Sequence, residues 1–519
     1  MVFKEIRMKN ILIGIDIGST NIKTVIFDGN FNVLANVSEE IDILLPKPGW
    51  TEYNPSEWWE KVKKTLKKGL AIGKVNSKNI LGIGISSLGC CAVPLDERGN
   101  HLYNGIPWSD QRAVKEVEFL EKNCRDLIYA ASGNVPTRLS ATPHLMWIKN
   151  NEPGVYKKTF KYTEASGFIG AKFTGKFTLD YSMASGLDFG FNSEKLKFSE
   201  EVVSSMGLDI AKFPNLHANT ESIGVVCKDV CDELGLVDGI PVYMGGLDIL
   251  SAVLAAGAVF NRQGLYSMGS AANMMFITDK NVGTPYLQSY VHIINPKNMK
   301  ILNGSQGSVG YSLKWFKNEF GMPEIEASKL LNYKVSPFKF MDTLASKVPV
   351  GSNELIYFPF LFGKYHPIFS ETVKGTFFNI TPITTRSHFI RSIMEGCTYN
   401  MYENIKSAES IGIILDEIIV SGGPSKSELW CQIISDITGK IVQTIKNPEG
   451  SPLGNAILAS VGVGLFGSFE KAIEKAVIKD KVYKPDTANH KIYSNLFEMY
   501  KDFYKACLPV YKRYKNIFT

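Results

Sequence analysis

Ile11-Leu12-Ile13-Gly14-Ile15-Asp16-Ile17-Gly18-Ser19-Thr20-Asn21-Ile22-Lys23-Thr24-Val25-Ile26-Phe27 is the stretch from which the rest can be read. Ile11 to Ile15 is apolar and β-branched, and the pattern resumes at Ile22 to Phe27. Gly18-Ser19-Thr20 lies between them, so the spacing predicts a hairpin of two strands. Asp16 falls where the first strand meets its turn. A carboxylate among buried aliphatics is costly unless it is paired or metal-bound. Glycine lets a phosphate approach the backbone, and Ser19, Thr20 and the turn amides can donate to it, with Lys23 as a nearby cation. The competing reading is a hairpin whose Asp caps its own turn.

A similar pattern occurs near the middle of the chain. Leu265 to Met268, then Gly269-Ser270, then Asn273 to Ile277 again read as strand, turn, strand. Two related halves would produce this. Pro241 to Gly245, Asp248 and the small-residue stretch Ala252 to Ala258 lie just before the second hairpin, and the domain boundary is placed there, at 255/256. A length of 519 residues gives a prior of about three domains and also admits two large ones.

Other elements are legible. Asn54-Pro55-Ser56-Glu57 is a helix start, and Trp58, Val62, Leu66 and Leu70 follow at four-residue spacing. Ile80 to Ser86 reads as a buried strand. Ile418 to Val420, Ser421-Gly422-Gly423-Pro424 and Ser425-x-x-Glu428 read as strand, turn and capping box. Leu429, Trp430, Ile433, Ile434 and Ile437 mark the helix's buried face, and Gly439 ends it. From His490 onward, Tyr493, Leu496, Phe497, Tyr500 and Tyr504 form an aromatic packing stripe.

Composition excludes several classes. Hydrophobic residues are 45% and charged residues 21%, so the chain is neither disordered nor collagen-like. The net charge of +6 comes without a basic block, so nucleic acid and membrane surfaces are not expected partners. No apolar run reaches the ~18–20 residues of a membrane span; Ile249 to Phe260 is too short. The N-terminus reads as no signal peptide, and a cytoplasmic protein is expected. Eight cysteines do not suggest a disulfide scaffold, and no His or Cys completes a zinc set with Cys227 and Cys231.

Two nucleotide motifs are absent: no G-x-x-x-x-G-K-[ST], and Gly82-x-Gly84 lacks the third glycine of the dinucleotide fingerprint. Asp248, in Met244-Gly245-Gly246-Leu247-Asp248, is read as a helix N-cap or as a general base at a glycine-lined cleft. Trp108-Ser109-Asp110-Gln111-Arg112 is read as a helix start or as a sugar site, in which the aromatic face meets C–H patches and the polar groups bond hydroxyls.

Together these pieces resemble the FGGY carbohydrate kinases of the actin-like, ribonuclease-H-like ATPase superfamily, over nearly the whole chain. Gly14 to Thr20 looks like the first phosphate motif. Trp50-Thr51-Glu52 with Trp58 looks like the early W-x-E…P…W segment, and Trp108-x-Asp110-x-Arg112 like the sugar-contact segment. Asp180-Tyr181-Ser182-x-Ala184-Ser185, Lys374-Gly375-Thr376-Phe377-Phe378 and Glu395-Gly396 match family stretches. Gly246-x-Asp248 falls where the family has its catalytic aspartate. Met268-Gly269-Ser270 resembles the second phosphate motif; Ser421-Gly422-Gly423 with Ser427-x-Leu429-Trp430 resembles the adenosine motif.

The resemblance implies an α/β fold of two actin-like domains with ATP and sugar in the cleft between them. It implies Asp248 and Asp16 as catalytic acids, with Asp16 near magnesium directly or through water. It implies ATP contacts at Gly18, Ser19, Thr20, Lys23, Gly269, Ser270, Gly310, Gly422, Gly423 and Ser427. Sugar contacts are implied at Trp108, Asp110, Gln111, Arg112, Cys90 and Asp248, and a homodimer is a candidate assembly. D-xylulose leads among acceptors, with gluconate, ribulose, erythritol and glycerol as alternatives. Xylulokinases usually carry Gln-Met-His where this chain has Leu88-Gly89-Cys90, and Gly363-Lys364-Tyr365-His366-Pro367 stands where relatives often have Gly-Glu-Arg-x-Pro. A non-catalytic sugar- or ATP-binding actin-like protein is the rival of another class. Such a protein would be expected to lack one of the acids, and both are present.

Overall fold

The computed structural model describes residues 10–187, 189–446 and 449–518. The chain divides into two compact units. The first comprises Met1–Val259, Asp279–Ile301 and Glu449–Ile478; the second comprises Phe260–Thr278, Leu302–Pro448 and Lys479–Thr519. The main crossing falls close to the 255/256 boundary read from the sequence. Two later stretches return to the first unit, which no single boundary describes.

The opening hairpin forms as the two apolar runs on either side of Gly18-Ser19-Thr20 predict. Strand β1 (Ile11–Ile17) pairs antiparallel with β2 (Asn21–Phe27), and β2 pairs antiparallel with β3 (Val33–Glu40). Helix α1 (Pro55–Ile72) starts at Asn54, whose side chain accepts from the Ser56 N–H. Its Trp58, Val62 and Leu66 are buried in the core beneath the sheet. Strand β4 (Ile80–Ser87) runs parallel to β1. Helix α2 (Ala141–Asn151) comes later, then β5 (Ser222–Val225), β6 (Pro241–Leu247) and helix α3 (Asp248–Ala256). The six strands lie in the order β5-β6-β4-β1-β2-β3, with β6 parallel to β4 and β5 antiparallel to β6.

The second unit repeats this plan. Strands β7 (Gln263–Met268) and β8 (Ala272–Thr278) form the second hairpin. Next come β9 (Lys300–Gln306), helix α4 (Gly310–Phe320), β10 (Glu417–Gly422), helix α5 (Glu428–Thr438) and β11 (Ile441–Ile445). Helix α6 (Ser451–Gly462) then belongs to the first unit. Strand β12 (Lys479–Tyr483) and helix α7 (Thr487–Phe518) close the second. Strands β12, β11, β10, β7, β8 and β9 lie side by side in that order. Their pairings from β12 to β8 run antiparallel, parallel, parallel, antiparallel, as do those from β5 to β2. Two α/β units of one topology therefore stand behind the two hairpins.

One local expectation changes. The cap of α5 is Ser427, which accepts from the Trp430 N–H at 3.1 Å, and not Ser425. The Ser425 hydroxyl instead donates to the Gly422 carbonyl at 2.7 Å, so it closes the preceding turn. Gly439 ends the helix in the left-handed conformation, as read. All eight cysteines are free thiols. On α7, Tyr493, Phe497, Tyr500 and Tyr504 are buried, and the Tyr493 hydroxyl donates to Glu395 at 2.7 Å.

Candidate active site

Three neighbouring strands of the first unit bring the acids together. Asp16 on β1 is in register with Ser86 on β4, and Ser86 with Gly246 on β6. Asp248 follows two residues later as the first residue of α3. The Ser86 hydroxyl donates to Asp16 Oδ1 at 2.7 Å, and the other Asp16 oxygen faces the Gly18 turn. Lys23 lies opposite Asp16 across the hairpin and donates to the Glu449 carbonyl at 3.3 Å. Ser19 and Thr20 are exposed at the turn tip, which is braced by a 2.7 Å bond from the Tyr53 hydroxyl to the Ser19 carbonyl.

Burial raises both carboxyls. Asp16 is pushed up from 3.8 to about 6 by desolvation, which outweighs the Ser86 hydroxyl and the Lys23 charge. Asp248 is pushed up from 3.8 to about 7, first by desolvation and then by the negative charge of Asp16; its bond from the Ile249 N–H opposes this. Burial also lowers the Lys23 ammonium, against the attraction of Glu449 and Asp16. Two acids that repel each other's charge, one titrating near neutrality, suit proton acceptance from an alcohol.

The turn carrying Asp248 is fixed from below. Gly246 adopts φ +73°, and a Cβ there would meet Ser182 Oγ at 2.2 Å and Asp180 Oδ1 at 2.8 Å. Buried Asp180 accepts from the Ser182 hydroxyl, the Met183 N–H and Asn219 Nδ2. The Asp180 stretch thus supports the Asp248 turn, a role that sequence spacing does not carry.

The Trp108 segment is built differently from the sequence expectation. Trp108 is 37% exposed, and Gln111 is also exposed. Asp110 is fully buried, and both of its oxygens are engaged. Oδ1 accepts from the Arg112 N–H at 2.8 Å and from Nε at 2.9 Å, while Oδ2 accepts from the Thr51 N–H at 2.6 Å and Arg112 Nη2 at 2.8 Å. Arg112 also pairs with Glu52 at 2.8 Å and stacks over Trp50 at 3.8 Å. Asp110 and Arg112 therefore brace the loop and leave Trp108 and Gln111 to face outward. Lys47, Trp50, Thr51, Ser109 and Gln111 line a hollow of about 420 Å³. Cys90 is buried, with its thiol donating to the Leu139 carbonyl at 2.8 Å and its carbonyl accepting from the Trp108 N–H at 2.9 Å. His144 of α2, which the sequence reading missed, is buried beside Asp110 and Arg112; burial lowers it to about 4, so the ring is neutral.

In the second unit the glycine turns converge. The Gly310 N–H donates to the Gly269 carbonyl at 3.0 Å, and the Val309 and Tyr311 N–H groups donate to the Ser270 carbonyl at 2.8 and 3.1 Å. A Cβ at Gly310 would lie 2.5 Å from that Gly269 oxygen. Gly422 is paired in register with Met268 at φ +93°, and a Cβ there would strike the Met268 carbonyl at 2.0 Å. Gly423 is open, and Ser427 caps α5 while donating to Asp342 at 2.9 Å. Among the described residues no group of three or more His, Cys, Asp or Glu could hold a metal. No described helix is long and apolar enough to cross a membrane.

Paired acids beside a glycine-serine hairpin, on a duplicated α/β fold, define the class as an actin-like phosphotransferase. The N-terminal domain of the FGGY family of carbohydrate kinases matches residues 11–255, and its C-terminal domain matches residues 264–463. The chain belongs to that family and is an ATP-dependent sugar kinase. It is 28% identical over 503 residues to a xylulose kinase of Staphylococcus epidermidis, covering 96% of this chain and 97% of that protein. It is 26% identical to a gluconokinase of Bacillus subtilis, covering 89% and 90%. The fold matches a crystal structure of xylulose kinase from Rhodospirillum rubrum with a TM-score of 0.88 at 24% identity, over 97% of this chain and all of that one.

Proposed function

We propose that the acceptor is D-xylulose and that Asp248 is the general base of its phosphorylation. The observation that carries the reading is the Asp16–Asp248 pair, in which burial and mutual repulsion bring Asp248 to about 7. At that value the carboxylate is present at neutral pH yet basic enough to take a proton from the sugar hydroxyl as its oxygen attacks the γ-phosphorus. The xylulose kinase of Staphylococcus epidermidis supports the ketose, since it is 28% identical to this chain against 26% for the gluconokinase. Trp108 offers a face for the sugar's carbon side, and Gln111 a hydroxyl partner.

ATP contacts are assigned to the Gly18 and Gly269 turns, with Gly310 holding the second turn and Gly422, Gly423 and Ser427 on the adenosine side. Asp16 suits a hydrated magnesium ion: one oxygen is held by Ser86 and the other faces the phosphate turn. When bound, the ion would neutralise phosphate charge; Lys23 adds a fixed cation on the same side. Cys90 at the position of the usual xylulokinase histidine is the observation that keeps gluconate and polyols as second candidates.

The deciding measurement is ADP release from magnesium-ATP across ketoses, pentitols, tetritols, glycerol and sugar acids. D-xylulose is expected to give the highest kcat/KM. A higher value with gluconate would move the acceptor to the sugar acids, and no stimulation by any of them would end the kinase reading.

A further inference from the structure

Helix α6 reaches the catalytic strands from a distant part of the sequence. It lies directly on backbone: a Cβ at Gly14 of β1 would meet the Pro452 carbonyl oxygen at 2.0 Å, and one at Gly84 of β4 would meet the Asn455 oxygen at 2.4 Å. At Gly245 of β6 the obstacle is the Asn455 side chain itself, 1.8 Å from a Cβ. The fold thus gives up a side chain at 245 to admit a carboxamide, where a small apolar residue on α6 would have packed without that demand.

Asn455 is fully buried and saturated. Its Nδ2 donates to the Ile15 carbonyl and to Ser86 Oγ, both at 2.8 Å, and its Oδ1 accepts from Ser251 Oγ at 2.6 Å. The Ile15 carbonyl can only accept, so the NH₂ must face β1 and the amide cannot be reversed. Ser86 Oγ accepts one amide hydrogen, and its own single hydrogen goes to Asp16 Oδ1 at 2.7 Å. Ser251 stands on α3, one turn after Asp248. A second tie from α6 runs alongside: the Ser451 hydroxyl donates to the Asp248 carbonyl at 3.0 Å.

We infer that Asn455 is a positioning residue for both acids, orienting Asp16 through the Ser86 hydroxyl and seating the first turn of α3 through Ser251. This rests on the kinase reading for its consequence, though not for its geometry. Supporting partners of this kind typically change activity or metal affinity by ~10- to 100-fold.

The test uses Asn455→Ala, Ser86→Ala and the double variant in the full chain. Thermal unfolding first establishes that each folds. Each single variant should lose ~10- to 100-fold in kcat with the best acceptor while the sugar KM stays within about twofold. The double variant should match the worse single within about twofold, because Asn455 acts on Asp16 through Ser86. Calorimetry without sugar should show weaker ADP binding in magnesium and unchanged ADP binding without it. A crystal structure of Asn455→Ala should show Ser86 Oγ turned away from Asp16.

Unchanged kcat in Asn455→Ala, multiplying losses in the double variant, or an intact Ser86–Asp16 bond in the crystal would each overturn the inference. If Asn455→Ala does not fold, Ser86→Ala with unaltered kcat and unaltered magnesium-dependent ADP binding overturns it. Failure of the kinase reading is distinguishable: the unaltered protein would then release no ADP with any acceptor, while the crystal comparison still decides the role of Asn455.

Discussion

Asp248→Asn should make the protein more stable at pH 8 while nearly abolishing turnover. Burial and the Asp16 charge raise the Asp248 carboxyl from 3.8 to about 7. Below pH 4 the acid is protonated both folded and unfolded, so it costs the fold nothing. Between about pH 4 and 7 the unfolded chain gives up the proton that the folded state keeps, and stability falls as pH climbs. Above 7 the full cost is in place. At 1.36 kcal/mol per pH unit the gap is ~4 kcal/mol, which solvent at the half-buried group trims to ~2–3 kcal/mol. Asparagine removes that cost and can still accept the Ile249 N–H. For a unit of roughly 300 residues the gain is ~3–5 °C in Tm. Scanning calorimetry of the ligand-free protein at pH 8 and pH 4 reads it, and kcat should fall ~10²–10⁴-fold. An Asp248→Asn variant no more stable than the parent at pH 8, or equally stabilised at pH 4, would refute the argument that the site is held under electrostatic strain.

Asp110→Ala should strip buried Arg112 of one of its two carboxylate partners and the Thr51 N–H of its acceptor, leaving Glu52 alone to balance the guanidinium, and destabilise the first unit by ~3–5 kcal/mol, seen as a drop in Tm; an unchanged Tm would show that the braced loop contributes nothing. Ser427→Ala should remove the cap of α5 at a cost of ~1 kcal/mol and speed hydrogen exchange in its first turn, and unaltered exchange there would discount the cap.

Both hairpins were legible because two short apolar runs broken by Gly-Ser have few other solutions. Asn54 was legible for the same local reason. Asp16 and Asp248 stood out as lone acids beside glycine-bearing turns, and their chemistry followed from the family resemblance. What sequence could not show depends on distance along the chain. Asp110 and Arg112 resemble a sugar clamp until Glu52, Thr51 and Trp50 are folded against them. Ser425 and Ser427 are equally good caps by composition, and the Gly422 carbonyl decides between them. Asn455 carries no local signal, since its partners Ile15, Ser86 and Ser251 lie at least two hundred positions away. His144 was hidden in a helix buried all round from Ala141 to Ile148, where no polar face marks it out.

The late arrival of α6 sets an order of events during synthesis. After Val259 the ribosome must add nearly two hundred residues before Ser451 emerges. At ~5–20 residues per second that is roughly 10–40 s. Throughout that interval the bare glycine tracks at Gly14, Gly84 and Gly245 have nothing to lie against. The nascent first unit is therefore an unfinished body waiting for its own last piece. A gene cut at residue 301 would keep the rest of the first unit and leave this seam open, prone to clump, while co-expressing Glu449–Ile478 as a separate peptide should restore its solubility.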